Sequence, residues 1–168
     1  MSSEEYRKAN QINLKGEGAA NFDPWMDFED TPFSSNIRKA LDKAGYTAPT
    51  NIQAQSWPIA LDNRDLISVA RTGSGKTCGF LLPAFHALMQ NKRAARSASV
   101  REEPTDDGRR RRSYSVRRNP SVLILAPTRE LAVQIEQEAQ KFTRAAGVYS
   151  MCMYGGTPKG PQIGMLRR

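Results

Sequence analysis

Apolar positions in this 168-residue chain fall into two rhythms that alternate along its length. Between Asn36 and Ala44, the residues Ile37, Ala40, Leu41 and Ala44 recur at helical spacing, with Ser35 placed as an N-cap and Gly45 as a stop. A second helix is predicted after Pro49, with Thr50 as its cap and Ile52 through Leu61 as its body, and Pro58 is expected to bend or restart it. Leu66 to Ala70 is a short apolar run that feeds a glycine-rich turn, and a helical stretch follows from Lys76 to Met89. The pattern then repeats. Ser121 to Ala126 reads as a buried-type strand, Pro127 and Thr128 open a helix with Leu131, Ile135, Ala139 and Phe142 on one face, and a third strand is predicted from Val148 to Tyr154. Strands alternating with amphipathic helices imply right-handed βαβ units on a parallel sheet, an α/β fold.

Two stretches lack either rhythm. Residues 1–24 carry Ser, Glu, Asn and Gly without sustained periodicity and are read as a disordered lead-in, with order beginning near Trp25. Residues 91–120 form a Ser/Arg-rich tract, read as a disordered insertion within a partial domain spanning 25–168. Charge is concentrated there. Of a formal net charge of +8, ten Lys/Arg and four Asp/Glu lie in that tract, so it accounts for +6. Its run of four arginines, Arg109 to Arg112, precedes Ser113 and Ser115. That context suits a basophilic kinase, a nuclear-localisation patch, an RNA-binding tail or simply a solvated loop.

The N-terminus has no apolar signal region, and the longest largely apolar run, Cys78 to Met89, is too short to span a bilayer. A soluble intracellular protein with no membrane association is expected. Cys78 and Cys152 lack metal-ligand spacing and are read as packing residues, as is the lone His86.

Chemistry is concentrated in Ala70-Arg71-Thr72-Gly73-Ser74-Gly75-Lys76-Thr77, a Walker A pattern between a predicted strand and a predicted helix. Gly73 and Gly75 let backbone N–H groups close around a β-phosphate, Lys76 neutralises β and γ oxygens, and the Thr77 hydroxyl can coordinate Mg²⁺. Ala70 stands where the strict pattern has glycine. Nucleotide binding with Mg²⁺ is expected from this loop.

Other segments extend this pattern into a family resemblance. Residues 45–53, Gly-Tyr-Thr-Ala-Pro-Thr-Asn-Ile-Gln, resemble the Q motif of DEAD-box RNA helicases, with Phe28 at about the expected upstream distance. Residues 127–132, Pro-Thr-Arg-Glu-Leu-Ala, are similar to that family's motif Ia, and Tyr154-Gly155-Gly156 resembles its double-glycine RNA contact. Residues 52–61 and 155–162 resemble the nuclear p68-like subfamily, which favours the nucleus over the cytoplasm.

The resemblance implies a RecA-like P-loop domain in an ATP-dependent RNA helicase, and ATP as the cofactor. It assigns Gln53 to the adenine edge, Phe28 and Tyr46 to packing near the base with Thr47 and Ala48 close by, and residues 70–77 to phosphates and metal. It assigns Pro127, Thr128, Arg129, Gly155 and Gly156 to backbone contacts with single-stranded or duplex RNA.

No Asp-Glu-Ala-Asp or Ser-Ala-Thr occurs in the sequence, so no catalytic carboxylate is assigned. By resemblance, the strands carrying those motifs belong between two of the three strands predicted here, leaving the phosphate-loop strand without its neighbours, and a fragment of marginal stability is expected. A non-catalytic RNA- or partner-binding protein, a pseudogene product and another P-loop enzyme are the competing readings.

Overall fold

The computed structural model describes residues 1–98 and 120–166. Helix α2, Ser35–Lys43, starts one residue earlier than the spacing predicts, because Ser34 accepts from Ile37 N at 3.4 Å. It buries Ile37 and Leu41 and stops at Gly45, whose φ of +83° only glycine adopts without strain. Helix α3, Asn51–Leu61, runs unbroken through Pro58. A proline there leaves the Ala54 carbonyl without its helical donor. That carbonyl accepts instead from Trp25 N at 2.9 Å, so the expected break becomes an attachment point.

The chain before Trp25 is ordered, which corrects the lead-in expected to be disordered over residues 1–24. Helix α1, Ser3–Ala9, opens with a reciprocal capping box: Glu5 N donates to Ser2 Oγ at 3.2 Å and Ser2 N to Glu5 Oε2 at 2.8 Å. The Arg7 guanidinium donates to Gln55 Oε1 at 2.9 Å and to Phe22 O at 2.7 Å, and Gln55 Nε2 donates to the same Phe22 carbonyl at 2.8 Å. Helix α1 buries none of its own residues, so it docks through polar contacts and leaves no trace in apolar periodicity.

Helix α4, Lys76–Ala98, extends well past Met89 and makes the first eight residues of the supposed insertion helical. Lys92 in that extension donates to Gly147 O at the end of α5. Most of the insertion reading, residues 99–119, lies outside the described residues. Helix α5, Arg129–Ala146, is capped by Thr128, whose Oγ1 accepts from Leu131 N at 3.2 Å, and it ends at Gly147 with φ +61°. A short helix not anticipated from periodicity, α6, covers Lys159–Leu166.

Helix α3 packs on α4, and α5 packs on both α2 and α4. Trp57 and Phe142 are wholly buried between them with Leu41, Leu81, Leu82 and Phe85, while Phe28 and Phe33 close the cluster over Trp57. Phe33 meets the Trp57 ring edge-on at 5.0 Å, and Trp57 Nε1 donates to Cys78 O at 3.4 Å, so the largest core side chain keeps its polar atom satisfied.

The three predicted strands do not pair among the described residues. Segments 66–70, 121–126 and 148–154 run without a ladder, so the parallel sheet expected from the sequence does not form here. Exposure along 122–125 alternates, with Val122 and Ile124 at 42% and 38% but Leu123 and Leu125 at 78% and 83%. That is the two-residue period of an extended strand, with one face more open than the other. Ile67 and Val69 stand out similarly, at 91% and 88%. A parallel strand forms when neighbours supply its hydrogen bonds and cover on both faces. The sequences that should intervene, marked by Asp-Glu-Ala-Asp and Ser-Ala-Thr, do not occur in these 168 residues.

Candidate functional site

Two side chains of the first turn of α3 hold the loop that opens α4. Thr50 Oγ1 donates to Ser74 O at 2.8 Å, and Gln53 Nε2 donates to Gly75 O at 3.0 Å. The other end of the Gln53 amide accepts from Thr50 N at 3.0 Å, fixing which way the amide points. A Cβ at Gly75 would lie 2.5 Å from Gln53 Nε2 and 2.9 Å from Thr50 Oγ1, and φ at Gly75 is +88°. Close approach and backbone angle therefore both require glycine there. Gly73, with φ +76°, has open space around it, so its requirement is conformational alone.

Lys76 lies within the turn, its Nζ donating to Ala70 O and Arg71 O at 2.6 Å each. The Ser74 hydroxyl is buried and without a hydrogen-bond partner among the described residues. A buried hydroxyl, an ammonium inside a glycine turn and the N–H groups of a helix start are donors converging on one place. These donors suit a phosphate group. Thr77 is partly buried on the first turn of α4. No cluster of three or more His, Cys, Asp or Glu capable of holding a metal occurs among the described residues.

Not every residue assigned by resemblance joins this place. Phe28 is core, its ring 6.3 Å from Trp57, and Thr47 and Ala48 are exposed. Tyr46 donates from its hydroxyl to Glu138 Oε1 of α5, and Cys78 Sγ donates to the same oxygen at 3.3 Å. Lys141 Nζ reaches the other oxygen, Glu138 Oε2, at 2.6 Å. Burial pushes the Cys78 thiol up from 9.0 to about 12, and burial together with the hydrogen bond to Glu138 raises the Tyr46 phenol. Burial also acts to raise Glu138, but donation from Lys141, Tyr46 and Cys78 outweighs it and holds the carboxyl below its ordinary value. Glu138 thus joins the segment before α3, the first turn of α4 and the middle of α5. No sequence motif marked it; its helical position on the polar side of Ala139 was the only signal. Thr50 was read only as a cap, although the Thr-x-x-Gln spacing to Gln53 already carried the signature of a reciprocal cap.

On the remaining side, Arg129 begins α5 with its guanidinium 4.2 Å above the Tyr154 ring and Nη2 donating to the Tyr154 hydroxyl at 3.4 Å. The structure thereby brings the motif Ia segment and the double-glycine segment together. Pro127, Thr128, Gly155 and Gly156 are all exposed, and Gly156 has φ +77°.

A glycine turn opening a helix and braced by a capped neighbour defines a P-loop nucleotide-binding class. A family model described as DEAD/DEAH box helicase matches residues 50–168, and the chain belongs to that family. It is 47% identical over 163 residues to DEAD-box ATP-dependent RNA helicase 30 of Arabidopsis thaliana, covering 97% of this chain and 24% of that protein. It is 42% identical over 168 residues to ATP-dependent RNA helicase-like protein DB10 of Nicotiana sylvestris, covering 100% of this chain and 24% of that one. Its structure resembles that of the RNA helicase Prp28 from Chaetomium thermophilum bound to ADP, with TM-score 0.68 and 33% identity, covering 99% of this chain and 36% of that one. A DEAD box protein from Methanococcus jannaschii is similar at TM-score 0.56 and 28% identity, over 85% of this chain and 32% of that one. The chain spans about a quarter of the length of the curated relatives it matches.

Proposed function

We propose that these residues form the ATP- and RNA-binding front of the RecA-like domain of an ATP-dependent RNA helicase, in which segments 66–70, 121–126 and 148–154 join a parallel sheet once neighbouring strands are present. The observation that carries this reading is the pair of hydrogen bonds from Thr50 and Gln53 to the Ser74 and Gly75 carbonyls, which makes the Q motif and the phosphate loop one unit. Residues Ala70 to Thr77 would hold the phosphates, Lys76 supplying positive charge and Thr77 the Mg²⁺ contact. Gln53 would present its remaining amide hydrogen and lone pair to adenine, although it is 1% exposed in this structure, so its surroundings must open for the base to reach it. Bound ATP with Mg²⁺ supplies the hydrolysable phosphoanhydride; the carboxylates that would act on it are not among these residues.

Pro127, Thr128, Arg129, Gly155 and Gly156 would contact the RNA sugar-phosphate backbone, single-stranded or duplex, without reading sequence. Likeness to the p68-like subfamily at 52–61 and 155–162 supports a nuclear setting.

Nucleotide binding is tested with a fluorescent ATP analogue, displaced in turn by ATP and by GTP. ATP should displace it at least about tenfold better than GTP, the worth of one good hydrogen-bonded base contact. Gln53→Ala should erase that preference, and Lys76→Ala should weaken both nucleotides. Equal displacement by GTP in the unsubstituted chain would overturn the assignment of Gln53.

A further inference from the structure

One side chain spans the double glycine. Gln162 Oε1 accepts from Tyr154 N at 3.1 Å, while its Nε2 donates to Tyr154 O at 3.2 Å and to Thr157 Oγ1 at 2.8 Å. The amide uses both of its ends and grips the residue on each side of Gly155-Gly156. Neither glycine has a neighbour within 4 Å of where a Cβ would lie, so packing does not fix this turn. Two adjacent glycines are also the most freely rotating dipeptide a chain can contain. The clasp therefore supplies the order that packing does not.

Its anchor serves a second purpose. Tyr154, held at both backbone atoms by Gln162, carries the ring on which Arg129 stacks at 4.2 Å and the hydroxyl that Arg129 Nη2 reaches at 3.4 Å. A guanidinium is planar, and one held over a ring at its Cζ presents a fixed fork of N–H donors of the kind a phosphate accepts in bidentate fashion. Fixing the Tyr154 backbone thus places both the glycine turn and the arginine. Every group in this chain of contacts lies on one short stretch of sequence or on the first turn of α5.

We propose that Gln162 is a positioning residue for RNA-backbone binding, acting through Tyr154 on Arg129 and on Gly155-Gly156. The inference rests on the RNA-contact reading given above and adds to it a residue that itself touches no RNA.

The experiment measures binding of a labelled oligouridylate across a salt series, alongside binding of a fluorescent ATP analogue and the thermal melt. The variants are Gln162→Met, which keeps length and loses the amide, Gln162→Glu, which keeps only the acceptor, and Arg129→Ala. Gln162→Met should weaken RNA binding about tenfold and flatten its salt dependence by roughly one phosphate contact, with nucleotide binding unchanged. Gln162→Glu should fall between it and the unsubstituted chain. If Arg129→Ala weakens RNA binding but both Gln162 variants keep the original affinity and salt slope, the proposal is overturned while the RNA reading stands. If the unsubstituted chain fails to bind RNA, or Arg129→Ala changes nothing, the RNA reading falls and takes the proposal with it. Loss of RNA and nucleotide binding together in both Gln162 variants would show a merely structural role and overturn it too.

Discussion

Gly75 concentrates more constraint than any other single residue at the nucleotide loop. Its φ of +88° costs a non-glycine residue about 1–3 kcal/mol, and any Cβ would press on Gln53 Nε2 and Thr50 Oγ1, the two groups that brace the loop. Gly75→Ala should therefore lower nucleotide affinity by at least about tenfold, whereas Gly73→Ala, strained but unobstructed, should lose less. Titration of both variants with a fluorescent ATP analogue checks the order; equal losses would show that the contact with Gln53 does not matter. Residue types at this loop were legible in the sequence because phosphate chemistry restricts them to glycine, lysine and a hydroxyl. What the sequence did not disclose is that the Gln53 amide holds the loop carbonyl, since a contact between residues 22 positions apart leaves no local pattern.

At the scale of elements, helices were readable where one face is apolar and less so where docking is polar. The amphipathic α2 and α5 were placed within a residue or two, whereas α1 docks by Arg7 and went unseen. Pro58 misled for a related reason: its effect depends on whether another chain segment can take the freed carbonyl, and Trp25 does. The junction of α4 and α5 at Glu138 carries a pH signature. Glu138 is held below its ordinary 4.5, so the unfolded chain takes up the proton first. The stability it lends is complete above that value and drains as pH falls below it. Cys78 behaves oppositely: its thiol ionises near 9.0 when unfolded and near about 12 when buried, so its stabilising share is complete below pH 9 and drains between 9 and 12. Tyr46, also raised, adds to the loss once pH exceeds its ordinary 10.0. Urea midpoints measured against pH should fall at both extremes. Glu138→Gln should reduce the acid fall, and Cys78→Ala should shrink the alkaline fall that begins at about 9, the raised thiol of Cys152 and phenol of Tyr46 leaving the remainder. An alkaline fall of unchanged size in Cys78→Ala would separate that thiol from the stability of the fold.

Over the whole molecule, helices form a core while the three segments read as strands stay unpaired, and the two outcomes have one cause. A helix satisfies its backbone internally and needs only a neighbour for one face; a parallel strand needs partners on two edges and cover on two faces. Trp57 and Phe142 find their cover among α2 to α5, but Ile67, Val69, Leu123 and Leu125 stand in the open. Exposure alternates along 122–125, with Leu123 and Leu125 more open than Val122 and Ile124, the two-residue period of an extended strand. Extended apolar segments with free backbone groups pair readily with other copies of themselves. The 168-residue chain should consequently self-associate as its concentration rises, and sedimentation velocity should show the sedimentation coefficient climbing with loading. Leu123→Lys with Leu125→Lys, both on the open face, should suppress that association while leaving the helical circular dichroism intact. Replacing Val122 and Ile124, the less open pair, in the same way should suppress it less. If the Leu123 and Leu125 pair left the climb in sedimentation coefficient unchanged, the open face of this segment could not be the source of self-association.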